Sequence, residues 1–133
     1  MVSVQRKGSR PYRELVLSVV ESLGLRARFR GAKKILIKPN LVTAKTSSEG
    51  VTVDLNIIRH LVEVINETSE AEVVVGESAL IDTEDVFRKL DVYALEESGC
   101  RVEDLEKGEW EQVRPPNSQL FRKMLVPKTA NES

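Results

Sequence analysis

The stretch Ile35-Leu36-Ile37-Lys38-Pro39-Asn40-Leu41-Val42 decides the fold. Three consecutive apolar residues show no in–out alternation. That is the pattern of a strand covered on both faces, so it predicts a central strand of a parallel sheet over residues 34–38. Pro39 ends the run because proline has no N–H for a ladder and restricts the residue before it. Downstream, Leu55, Ile58, Leu61, Val62 and Ile65 recur at helical spacing behind Asp54, a residue suited to capping a helix. Residues 72–75 form a second buried strand that stops at Gly76-Glu77-Ser78. Residues 35–75 thus read as one strand–helix–strand unit, with parallel pairing and a right-handed crossover.

Working outward, Leu15, Val16, Val19, Val20 and Leu23 give an amphipathic helix from Tyr12, opened after Pro11 and closed by Gly24. Before it, residues 1–7 read as a short first strand with Val2 and Val4 on one face. Arg26, Arg28, Arg30, Lys33 and Lys34 read as a solvated basic connection into the strand that follows. Toward the carboxyl end, residues 83–90 and 92–98 are helical, with a break at Asp91, and Gly99 stops them. Residues 101–105 and 110–113 read as a strand, a turn and a second strand, with Trp110 and Phe121 packing the hairpin. Residues 120–126 supply a last strand after Pro115-Pro116-Asn117. The expected fold is α/β: a mostly parallel central sheet with helices on both faces and a small antiparallel addition near the C-terminus.

Composition narrows the function classes. A chain of 133 residues with 41% apolar content suits one domain, 1–133. Twenty basic residues against twenty-one acidic ones leave no positive field for nucleic acid or anionic lipid. No apolar run approaches a membrane span and no signal stretch opens the chain, so a cytoplasmic location is expected. Cys100 is the single cysteine and His60 the single histidine. Neither a metal site nor an iron–sulfur cluster is expected within this chain, and the cofactor stays open.

In an open parallel sheet, ligands bind beyond the carboxyl ends of the strands. Lys38-Pro39-Asn40 leaves one strand and Gly76-Glu77-Ser78 the next, so neighbouring strands would place both tripeptides on one edge. Lys38 offers a cation for phosphate or carboxylate, and Asn40 offers both a donor and an acceptor. Gly76 permits close approach of a ligand to the backbone, Glu77 supplies a carboxylate and Ser78 a hydroxyl. Thr52, at the end of the long polar connection 43–52, adds a second hydroxyl near a helix start. Turn chemistry that merely ends strands accounts for the same residues equally well. Asp82, Glu84 and Asp85 could hold a hard cation, but carboxylates are also favoured at any helix start.

Taken in order, the run 35–42, Gly50-Val51-Thr52 before a helix, Val73-Val74-Val75-Gly76-Glu77-Ser78, and Ser98-Gly99-Cys100-Arg101-Val102 before Asp104-Leu105 resemble the domain of unknown function 362 family, over roughly residues 1–126. Members are bacterial and archaeal proteins, often described as iron–sulfur proteins because many carry a ferredoxin-like cysteine segment, and they are usually much longer. The resemblance implies an amino-terminal half without the cluster-binding cysteines, whose site a second half would complete. Two functions follow as expectations. In one, the domain supplies the anion- or small-ligand-binding edge of a redox-linked enzyme, with Lys38, Asn40, Thr52, Gly76, Glu77 and Ser78 at the site and no catalytic role assigned. In the other, it is a non-catalytic module that docks an iron–sulfur protein, a second subunit or a second half-protein.

Overall fold

The computed structural model describes residues 2–120 and 122–133. Its main sheet has three parallel strands in the order β1 (Lys34–Ile37), β2 (Glu72–Glu77), β3 (Arg101–Asp104). The register pairs Ile35 with Val73, Ile37 with Val75, and Val75 with Val102, so these residues share one face. Onto that face pack α1 (Tyr12–Ser22), α3 (Leu55–Asn66) and the 3-10 helix Val92–Ser98, through Val16, Val20, Ile58, Val62, Ile65 and Leu95. Val73, Val74 and Val75 are 3, 0 and 1% exposed. At about 1.5–3 kcal/mol for each buried valine, β2 is the anchor of the fold.

The other face carries Lys34, Leu36, Glu72, Val74, Gly76, Arg101 and Glu103, following the same register. It is crossed by the short C-terminal helix α5 (Lys128–Asn131), whose Thr129 hydroxyl donates to Glu103 at 2.6 Å. Lys34 donates to Glu132 at 2.8 Å just beyond α5. Two further strands, β4 (Trp110–Val113) and β5 (Met124–Pro127), form a separate antiparallel ribbon that leads into α5.

Local signals explain the element ends. Asp54 accepts the Asn56 N–H at 3.0 Å, which satisfies one of the free donors at the start of α3. Asp82 accepts the Asp85 N–H at 2.8 Å and starts α4 (Thr83–Lys89) in the same way. Asp91 takes a left-handed conformation, φ 56°, and so separates α4 from the 3-10 helix. Gly99 closes that helix at φ 89°, and a Cβ there would lie 2.8 Å from the Asn66 amide that donates to the Ser98 and Gly99 carbonyls.

Several expectations change. Residues 2–7 form no strand, and Val2 and Val4 are 87 and 88% exposed, so their alternation finds no partner; Met1 lies outside the described residues. The basic connection is instead a helix, α2 (Leu25–Gly31), because Phe29 gives it a buried anchor. β1 is an edge strand rather than a central one: its apolar run reports coverage above and below, and its neighbour on one side is β2 alone. β2 continues through Gly76 and Glu77, so these residues belong to the strand rather than to a turn after it. β3 joins the parallel sheet while β4 pairs with β5, so 101–105 and 110–113 are not two arms of one hairpin. Trp110 is 47% exposed on its ribbon, and Phe121 lies outside the described residues.

Candidate functional site

The two tripeptides meet, because β1 and β2 are parallel neighbours in register. Lys38 leaves β1 and forms an ion pair through its ammonium with Glu77 at the end of β2. The Glu77 side chain is 3% exposed, against 57% for Lys38. Its two oxygens are also claimed by backbone: Oε1 accepts the Ser78 N–H at 2.8 Å and Oε2 accepts the Leu41 N–H at 3.1 Å. A buried carboxylate is tolerated when charge-assisted donors surround it, and here three do so. Glu77 therefore fastens the Lys38-Pro39-Asn40 turn to the end of the central strand. The Leu80 N–H, donating to the Val42 carbonyl at 3.3 Å, extends the same seam.

The other candidates divide. Asn40 turns away from Glu77: its amide donates to the Val51 carbonyl at 3.1 Å, and its own carbonyl accepts the Val53 N–H at 3.1 Å. Thr52 donates to the Lys45 carbonyl at 2.8 Å. Both residues therefore hold the long connection in place, which also contains a 3-10 turn, Ser47–Glu49, with reciprocal bonds between Thr46 and Glu49. Ser78 is exposed beside the ion pair. Gly76 is buried, and an added Cβ would lie 2.8 Å from Leu105 Cδ2 and 3.0 Å from Leu36 Cδ1. That glycine makes room for side chains of the second face and not for a ligand.

Asp82, Glu84 and Asp85 each have a partner within reach. Asp82 caps α4, Glu84 accepts from Arg88 at 3.0 Å and from the Tyr93 hydroxyl at 2.9 Å, and Asp85 pairs with Lys89 at 2.7 Å. His60 pairs with Glu63 at 2.7 Å. Among the described residues no group of three or more such side chains converges on a metal position. Cys100 is half-buried, with its thiol directed to the Leu95 carbonyl at 3.2 Å; burial, then the nearby Glu96 charge, pushes its pKa up and leaves it a poor nucleophile.

Two hydroxyl residues were not singled out by spacing. Thr83, 2% exposed, accepts the Ala79 N–H at 3.0 Å and so closes the turn after Ser78. Its position just inside a helix start was its only sequence signal. Thr43 follows the Leu41 and Val42 seam, and its Oγ1 is buried with no hydrogen-bond partner among the described residues. In the sequence it is one of several hydroxyls of the polar connection 43–52, of which Thr52 is the one retained as a candidate.

At the far end of the connection, the Tyr12 hydroxyl donates to Asp54, and Lys7 lies over the Tyr12 ring at 4.4 Å. Burial alone would raise the Asp54 pKa, but the Tyr12 hydroxyl, the Asn56 donors and the Lys7 charge together hold it below the ordinary value. A recess of about 250 Å³ lies here, lined by Thr46, Ser47, Thr52, Asp54 and Lys89 among others. A larger cleft, about 520 Å³, lies away from the Lys38 edge, against β3 and α5. Its cations Lys34, Arg101, Lys107 and Lys128 are all matched by carboxylates, so its size reflects a self-paired charge network rather than a site with free charge. The Lys38 edge is the better candidate because Lys38 has a single protein partner among the described residues, its side chain is more than half exposed, and an ammonium carries three donors.

Among the described residues no helix is long and apolar enough to cross a membrane. No curated protein and no solved structure matches the chain. A family model described as "Domain of unknown function (DUF362)" matches residues 35–133. The match opens on the apolar run of β1, rather than at residue 1, and takes in the Lys38–Glu77 seam, the parallel sheet, the ribbon and α5 through Ser133. The chain belongs to the domain of unknown function 362 family.

Proposed function

We propose that the carboxyl edge of the parallel sheet binds a small anion, a phosphate or a carboxylate, through Lys38, as part of an enzyme. The observation that carries this is the asymmetry of the Lys38–Glu77 pair: the carboxylate is buried and held by three donors, whereas the Lys38 side chain is more than half exposed. A carboxylate fixed in this way holds the lysine ammonium in place and leaves its remaining donors for a ligand. Ser78, exposed next to it, is the second group in reach. A redox-linked reaction is the class suggested by the family's association with iron–sulfur proteins. With Cys100 as the only cysteine of residues 1–133, any cluster would be held outside this stretch.

The test is thermal unfolding of the purified chain with inorganic phosphate or malonate. An anion present at ten times its Kd stabilises the folded state by about 1.4 kcal/mol. The wild type gains stability with one of the two anions, and Lys38→Ala does not. An undiminished anion effect in Lys38→Ala, coupled with a large loss of free stability, would make Lys38 a structural residue and remove the proposal.

A further inference from the structure

We infer that Thr43 is a second anion-binding residue of the edge proposed above, supplying a hydroxyl donor to the ligand held by Lys38. This rests on the Lys38 reading and adds a residue to it. The Thr43 hydroxyl is the one buried side-chain oxygen without a hydrogen-bond partner among the described residues. Buried polar groups are nearly always paired, and an orphan calls for an explanation such as a ligand that completes it. Its place in the chain supplies one. Leu41 and Val42, immediately before it, are bonded to Glu77 and Leu80, so the backbone entering Thr43 is fixed along the exit of β2, beside the ion pair.

The segment that follows lies at the surface. Residues 45–50 are exposed, and their regular structure is the short turn Ser47–Glu49. A threonine O–H donated to an oxyanion bound by the lysine ammonium would add a donor of a different kind. Phosphate and carboxylate both present oxygens that can take both.

An unsatisfied hydroxyl opposes folding, so function and stability should move in opposite directions at this position. The experiment compares wild type, Thr43→Val, Thr43→Ser and Lys38→Ala by thermal unfolding and by titration calorimetry with inorganic phosphate and, separately, malonate. Thr43→Val, which has the same shape, is expected to unfold at a temperature equal to or above that of the wild type and to lose roughly tenfold or more in affinity, as for one hydrogen bond to a charged acceptor. Thr43→Ser keeps binding. The anion that binds more tightly identifies the ligand class. If Thr43→Val binds as the wild type does while Lys38→Ala does not, the role of Thr43 is overturned and the Lys38 edge stands. If Thr43→Val is less stable than the wild type, its hydroxyl is already bonded in the free protein, for instance to water, and the inference fails. Unchanged binding in Lys38→Ala, or no binding of either anion by the wild type, overturns both.

Discussion

Replacing Glu77 tests whether the candidate edge is built as the structure shows. In Glu77→Ala, the Leu41 and Ser78 N–H groups lose a charged acceptor, each bond contributing about 1.5–3 kcal/mol. The pair with Lys38 adds little, about 0–1 kcal/mol, because its cation is exposed. The sum is a destabilisation of about 3–7 kcal/mol, a large share of the roughly 5–15 kcal/mol that holds a domain together. Glu77→Gln keeps the shape and one acceptor but turns its NH₂ toward a backbone donor, so it should fall between Ala and wild type. Lys38→Ala, which leaves both backbone bonds intact, should cost least. Urea unfolding measures the order as shifts in midpoint at constant slope. Equal losses in Lys38→Ala and Glu77→Ala, or a Glu77→Ala variant within about 0.5 kcal/mol of wild type, would refute the view that this carboxylate works chiefly on the backbone.

Gly76→Ala should destabilise by about 1–3 kcal/mol through overpacking against Leu105 and Leu36. Pairing it with Leu105→Ala should give less than the sum of the two losses in a double-mutant cycle; additive losses would show that the two residues do not meet. Asp54→Ala should cost about 1 kcal/mol as a lost helix cap, whereas Asp54→Asn, which still caps, isolates the charge. The Asp54 pKa is lowered on folding, so the stability it contributes is full above the unfolded-state value and drains as pH falls through the folded one. The stability curves of wild type and Asp54→Asn should therefore converge in acid. Curves that stay parallel there would deny the charge that role.

Much of this architecture could be read before any coordinates, because its signals are local. Asp54, Gly99 and the break at Asp91 act within a few residues of themselves, and the structure places an element end at each. The meeting of Lys38 with Glu77 was also legible, since two parallel strands ending in polar tripeptides have to deliver them to one edge. What escaped depends on partners distant in the chain. The reason for Gly76 lies at Leu105, and the reason Asn40 belongs to the connection lies at the Val51 carbonyl. Whether 101–105 pairs with β2 or with 110–113 is decided by competing strand edges, which no window of sequence contains. α2 was hidden because its arginines outweigh the one residue, Phe29, that fixes it to the core. β1 shows the ambiguity of an apolar run, which records what lies above and below a strand and is silent about its sides.

The small C-terminal helix that crosses the second face has a consequence for how the molecule opens. With the parallel sheet formed, bringing Lys128 back to the end of β3 still closes the stretch that follows Asp104, at about 3 kcal/mol of chain entropy. The Lys34–Glu132 pair returns at most about 1 kcal/mol, and one hydroxyl–carboxylate bond from Thr129 to Glu103 adds about 1.5–3 kcal/mol. The two sides nearly cancel. The helix and the ribbon before it are thus held to the second face near balance, while Val73 and Val75 stay buried on the opposite face beneath their helices.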